Sequence, residues 1–127
     1  MQDHGYFKGM FTIAAIWNWS VALLFMTLAI FNIEQLGLFL KIFPQNYLWF
    51  HLFLGVVIVF GIGYRWAGQD VIANRNIIKM GIIAKLWVFA LIGYAWITGV
   101  VTILAAGAGT VDLIFSILFI NVLRQTK

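Results

Sequence analysis

Charged side chains and cysteine are what this sequence has least of. Only 9% of its 127 residues are charged, whereas a soluble domain carries roughly a quarter. So few charges could not cover the surface of a folded chain in water, which excludes a soluble globular protein. The complete lack of cysteine excludes thiol and disulfide redox chemistry and cysteine-based zinc or iron–sulfur sites.

Apolar residues make up 64% of the chain and are concentrated in four long runs. A helix that crosses a bilayer needs about 20 mostly apolar residues. The runs predict spans at about 6–31, 47–66, 80–104 and 110–123. The sequence therefore predicts an all-α, polytopic integral membrane protein, an up-down-up-down bundle of four transmembrane helices. We take residues 1–127 as a single four-helix transmembrane domain.

Lysine and arginine are distributed unevenly between the predicted loops. Most of them lie near the start of span one, around the connection between spans two and three, or after span four: Lys8, Arg65, Arg75, Lys79, Lys85, Arg124 and Lys127. Only Lys41 lies on the other side. Because positive residues favour the cytoplasmic side, both termini are expected in the cytoplasm, and the compact size suggests a bacterial inner membrane. The lipid bilayer is then the expected partner, and nucleic acid is not.

The segments between the spans carry further signals. Apolar residues at helical spacing precede Pro44, namely Leu36, Phe39, Leu40 and Phe43. This pattern predicts either a short amphipathic helix over 34–43 on the outer membrane surface or an extension of the first span. Gly107 and Gly109 predict a tight turn between spans three and four.

Trp17, Asn18 and Trp19 fall near the middle of the first span, too deep for the interfacial anchoring that Trp and Tyr commonly provide. One interpretation is helix packing, in which a buried Asn bonds to a neighbouring helix. The other is a pocket for a flat or chain-like apolar molecule. In that pocket Asn18 would orient a polar head, and Trp87 and Trp96 of the third span would form the facing wall.

Ionisable residues also occur at the predicted outer end of the spans. His51 lies about one turn inside span two, and Asp112 and Glu34 are expected at similar depth. Because intramembrane ionisable residues are functional candidates, the three predict a proton acceptor, a polar-ligand site or a weak metal site. The structural alternatives are a helix-dipole contact for Asp112, a carbonyl bond for His51 and solvation for Glu34.

Lys85 is expected about five residues into the third span. Its long stem predicts that the ammonium group reaches the inner headgroups. The alternative is pairing with a lipid phosphate or a substrate anion. Asn121 lies nearly opposite Asp112 around the fourth span, so we do not expect these two residues to share a site.

The leading hypothesis is a non-enzymatic binder or carrier of a small apolar or amphipathic molecule. Its ligand-binding residues would be Trp17, Asn18, Trp19, His51, Trp87, Trp96 and Asp112. The alternative is an accessory or assembly subunit whose aromatic and glycine faces pack against a membrane-protein partner or a second copy. A third hypothesis is a lipid- or quinone-modifying enzyme that uses His51, Asp112 and Glu34. The sequence predicts no catalytic motif, no metal and no cofactor.

Overall fold

The computed structural model describes residues 4–127, which form four long α-helices. These are α1 (His4–Phe31), α2 (Tyr47–Gln69), α3 (Arg75–Ile97) and α4 (Ile103–Gln125). A 3₁₀ helix, Ile33–Leu38, lies between α1 and α2. All four α-helices are long and apolar enough to cross a membrane. They fit an integral membrane protein, as the composition predicts.

The turn between the last two helices differs from the prediction. It lies at residues 98–102, where Gly99 adopts a φ of +82° that suits glycine best. Gly107 and Gly109, which predicted the turn, lie inside α4 instead. At Gly109 an added Cβ would lie 3.2 Å from Cγ2 of Ile92, so this glycine allows α3 and α4 to approach closely. As a result, α4 begins seven residues before its predicted span. Separately, α3 begins at Arg75, five residues before its predicted span.

Small residues let α1 and α2 pack against each other. Ala14, Ala15 and Ala22 of α1 are fully buried. Across the interface Gly61 lies against the Trp19 indole, and a Cβ on Gly68 would lie 3.0 Å from Cβ of Phe11. Higher residue numbers on α1 thus contact lower residue numbers on α2, so the two helices run antiparallel. The two helices form one hairpin, and α3 and α4 form the second.

Aromatic side chains join the two hairpins. The rings of Phe11 and Phe119 have centroids 4.8 Å apart, and the Tyr64 ring lies 5.0 Å from Phe119. Gly81 on α3 leaves room for the Tyr64 ring, since a Cβ there would lie 2.6 Å from its Cε1. These residues belong to, or pack against, the hydrophobic cluster at the core, made of Phe7, Met10, Phe11, Ala14, Ala15, Tyr64, Ala67, Val71, Ile78, Phe115, Phe119 and Val122.

At one end of the bundle, the chain after the 3₁₀ helix pairs with the turn between α3 and α4. The Lys41 amide donates to the Val100 carbonyl at 2.9 Å, and the Thr102 amide donates to the Phe39 carbonyl at 2.9 Å. The Thr102 hydroxyl also donates to the Leu38 carbonyl at 2.6 Å. This pairing ends the helical conformation at Leu38. The predicted amphipathic helix over 34–43 is therefore a shorter 3₁₀ helix followed by irregular chain, with an isolated antiparallel bridge between Leu40 and Val101.

At the other end, Arg75 ties the start of α3 to the end of α4. Its guanidinium donates to the Thr126 carbonyl and hydroxyl, both at 2.7 Å, and to the Leu123 carbonyl at 3.2 Å. The last carbonyls of a helix have no partner within the helix, and a cation near them is favoured by the helix dipole. Arg75 thus adds to the C-terminal capping of α4, where the Thr126 amide and hydroxyl also donate to the Val122 carbonyl.

Candidate functional site

Three polar residues lie near the middle of three different helices. Lys85 is ten residues after the start of α3, and Asp112 is nine residues after the start of α4. At a rise of about 1.5 Å per residue, both are about 14 Å from the nearer helix end or deeper. Asn18 is near the centre of α1. In helices long enough to cross a bilayer, these positions are close to mid-membrane.

Lys85 connects the other two residues. Its ammonium nitrogen lies 2.6 Å from Oδ1 of Asp112 and 3.1 Å from Oδ1 of Asn18. Only 4% of the Lys85 side chain is exposed, compared with 16% of that of Asp112. We call Asn18, Lys85 and Asp112 the polar cluster. It contains an ion pair within the second hairpin and a hydrogen bond that reaches the first.

Two aromatic rings enclose the ammonium group further. The Lys85 nitrogen lies 5.2 Å from the ring centroid of Tyr64 and 5.3 Å from that of Phe115. A cation within about 6 Å of an aromatic centroid is attracted by the negative face of the ring. Lys85 is therefore surrounded by two oxygens and two rings contributed by α1, α2 and α4, which explains why so long a cationic side chain is buried.

Asn18 and Trp19 hold α1 against α2 at the same level. The Asn18 amide nitrogen donates to the Val57 carbonyl at 3.1 Å, and the Trp19 indole donates to the Ile58 carbonyl at 3.1 Å. Both acceptors are backbone oxygens, so these bonds fix the position of α1 without needing a particular side chain on α2. The helix-packing interpretation of this segment is the one that the contacts support directly.

The polar cluster lies at a boundary in the packing of the bundle. The buried residues of α3 are Ile78, Gly81 and Lys85, and none is buried between residues 86 and 97. On α2, Leu54 is the only buried residue before Gly61. We call the half that contains the hydrophobic cluster the tight half, and the half toward the 98–102 turn the loose half. The polar cluster forms the border between them.

The prediction that Lys85 reaches the headgroups is wrong, because α3 begins earlier than the predicted span. With a span beginning at about residue 80, Lys85 would lie close enough to the inner surface for its ammonium to reach the headgroups. Because α3 begins at Arg75, the side chain starts too deep, and Asp112 provides its counter-charge. The signal that sequence reasoning missed is a lysine and an acid, each in the middle of an apolar stretch.

The remaining predicted residues do not join the polar cluster. Trp87 is 65% exposed and Trp96 is 47% exposed, so neither forms an enclosed wall opposite Trp19. Trp96 instead borders a groove of about 440 Å³ between α3 and α4, in the loose half. Trp17 is partly buried against the hydrophobic cluster.

His51 and Glu34 do not share a site with Asp112. His51 is partly buried in the first turns of α2, and its ring lies 5.7 Å from that of Phe50. Glu34 is exposed in the 3₁₀ helix, while Asp112 is paired with Lys85 and is not in the first turn of its helix. Within residues 4–127, no three His, Cys, Asp or Glu side chains come together as a metal-binding group.

Comparison with known proteins gives no further assignment. No protein-family model, no curated protein and no solved structure matches this chain. The functional interpretation therefore depends on the chemistry of the polar cluster and its surroundings.

Proposed function

We propose that the four helices cross a membrane in up-down-up-down order, with both termini in the cytoplasm of a bacterial cell. The short connections at 70–74 and 98–102 support this order, because helices joined by short loops are usually antiparallel neighbours. The positive residues at the end that carries Arg75 and Arg124 support the orientation.

We further propose that the protein binds or carries a small apolar or amphipathic molecule, with the polar cluster holding its head group. The observation that carries this proposal is the ion pair between Lys85 and Asp112 at mid-helix depth. Removing two charges from water costs more than their attraction commonly returns. Charged residues inside membranes are rare and usually functional, so a bundle that needed only stability would place apolar residues here.

The loose half supplies space for the apolar part of such a molecule. Residues 86–97 of α3 have no buried member, although Ile92 packs closely against Gly109, and a groove between α3 and α4 lies beside Trp96. Asp112 is not among the residues that line this groove, so the groove is proposed to hold the apolar part of the ligand alone. His51 and Trp87 would then belong to the surroundings of the ligand entrance, and Trp17 and Trp19 would support Asn18.

The second candidate function is an accessory subunit of a larger membrane complex. It is favoured by α3, whose apolar window is only 11% buried, less than that of any other described helix. Trp87 and Tyr94 lie on its exposed surface, at 65% and 68% exposure. A partner helix would cover this surface, although lipid would do so equally well in a protein that acts alone.

A native mass spectrum of the protein, released from its own membrane in a mild detergent, tests the two candidates. We expect a bound molecule of defined mass on the wild type and on the Asn121→Leu control, whose changed residue is exposed on α4. The double variant K85M/D112L, which removes both charges together, should lose it. A stable complex with an unrelated chain and no small molecule would favour the accessory subunit instead.

A further inference from the structure

The two oxygens of Asp112 differ in their surroundings. Oδ1 accepts the bond from Lys85, and no hydrogen bond to Oδ2 is formed by the residues from 4 to 127. In that same part of the chain, Nη1 of Arg65 is the one side-chain nitrogen or oxygen atom that is both fully buried and without a hydrogen-bond partner. Oδ2 is therefore accessible as well as unpaired, which agrees with the 16% exposure of the Asp112 side chain.

Lys85 offers a ligand much less. Only 4% of its side chain is exposed, and its ammonium is surrounded by Oδ1 of Asn18, Oδ1 of Asp112 and the rings of Tyr64 and Phe115. An anionic head group would have to displace one of these contacts to reach the cation. The group that a ligand meets first is thus an acceptor oxygen.

We propose that the polar cluster binds a neutral apolar molecule that carries a hydroxyl group, and that this hydroxyl donates its hydrogen bond to Oδ2 of Asp112. This inference rests on the proposed function and names the class of its ligand. A hydroxyl provides the donor that a carboxylate oxygen lacks, and hydrogen bonds to charged acceptors are the stronger ones. Long-chain alcohols, sterols and phenols share this chemistry.

Charge separates a hydroxyl from the other possible donors. Lys85 and Asp112 together carry no net charge. A protonated amine would add an unbalanced positive charge to an apolar interior, and desolvating an unbalanced charge is costly. A carboxylate would add a negative charge directly beside Oδ2, where like charges repel. A neutral hydroxyl completes the hydrogen bonding of Asp112 without changing the charge of the site.

Four radiolabelled probes with the same chain test this inference: dodecanol, dodecyl methyl ether, dodecylammonium and dodecanoate. Each is titrated separately into the purified protein in the same detergent, and saturable binding is measured. We expect the wild type to bind dodecanol at least about tenfold more tightly than the ether, because a missing donor leaves a buried acceptor unpaired. Binding of the two charged probes should be weaker still.

The Asp112→Asn variant replaces the free acceptor oxygen of the site with a donor nitrogen. Its amide oxygen can still accept from Lys85, while its nitrogen replaces the free oxygen with a donor. We expect the preference for dodecanol over the ether to fall toward one in this variant. If this variant does not fold, the comparison of dodecanol with the ether in the wild type is sufficient to test the inference.

The outcomes separate this inference from the proposed function. Tighter binding of dodecanoate or dodecylammonium, or equal binding of alcohol and ether by the wild type, would overturn the hydroxyl assignment while leaving a ligand site. Binding at the proposed site should be saturable and should be lost in K85M/D112L. If no probe binds in this way, both the proposed function and the hydroxyl assignment are overturned.

Discussion

The Lys85 ammonium and the Asp112 carboxylate form a 2.6 Å ion pair between the middles of α3 and α4. The pair lies near the middle of two helices that are long and apolar enough to cross a membrane. Asn18 adds a hydrogen bond from the opposite hairpin. This relationship connects the fold to the proposed function, because the same contacts that bury the charges leave one carboxylate oxygen accessible.

Separating the two charges should be worse than removing both. We expect Lys85→Met or Asp112→Leu alone to lower the free energy of unfolding by about 3–5 kcal/mol, because each leaves an unpaired buried charge. The double variant should recover most of that loss. Reversible unfolding in bicelles, measured for all four proteins, gives the coupling energy. A double variant that loses the sum of the two single effects would contradict this interpretation.

Close contact of α1 with α2 should make Gly61 intolerant of a side chain. In Gly61→Ala the added methyl would meet the Trp19 indole, whose position is fixed by its bond to the Ile58 carbonyl. We expect a loss of about 1–3 kcal/mol from overpacking. Gly55→Ala on the same helix is the control, since nothing lies within 4 Å of its added Cβ. It should be neutral or slightly stabilising, and equal losses in both variants would refute the packing assignment.

Replacing Arg75 should loosen the end of α4. Arg75→Met removes all of the guanidinium bonds to Leu123 and Thr126, and we expect a loss of about 2 kcal/mol. Amide hydrogen exchange over residues 122–126 should become faster. Arg124→Met, which changes an exposed arginine in the last turn of the same helix, is the control for lost positive charge. Similar exchange in both variants would mean that Arg75 does not cap the helix.

The lack of cysteine makes the proposed orientation directly testable. Single cysteines introduced at Gln45 and Gln125, both exposed, would lie on opposite sides of the membrane. A membrane-impermeant maleimide should label Gln45→Cys in intact cells and Gln125→Cys only after permeabilisation. Labelling of Gln125→Cys alone in intact cells would reverse the orientation, and labelling of both would contradict three crossings between the two positions.

Composition and hydropathy were enough to predict four long apolar helices, because that signal adds up over about 20 residues for each helix. The position of the last turn was not predictable in the same way. Glycine favours a turn but is also selected for close helix contact, and Gly109 serves the second purpose against Ile92. Only the three-dimensional contacts show that Gly99 is the glycine that turns the chain.

The connection between the site residues was less predictable than the residues themselves. Asn18 and Asp112 were predicted as ligand-binding residues and lie in the polar cluster, but their connection through Lys85 was not foreseen. Spacing along a helix gives the face of a residue, whereas the partner of that face depends on the order of helices around the bundle. The contribution of His51, Trp87 and Trp96 to ligand binding stays a prediction.

Solid-state NMR in lipid bilayers tests the central claim most directly, using ¹⁵N-labelled lysine and ¹³C-labelled aspartate. Lys85 Nζ is assigned by comparison with Lys85→Met, and magnetisation transfer from it is measured to Asp112 Cγ and to lipid ³¹P. We expect strong transfer to Asp112 and none to phosphorus, because the ion pair is 2.6 Å long and buried. Transfer to phosphorus without transfer to Asp112 would place the ammonium among the headgroups and would contradict the account.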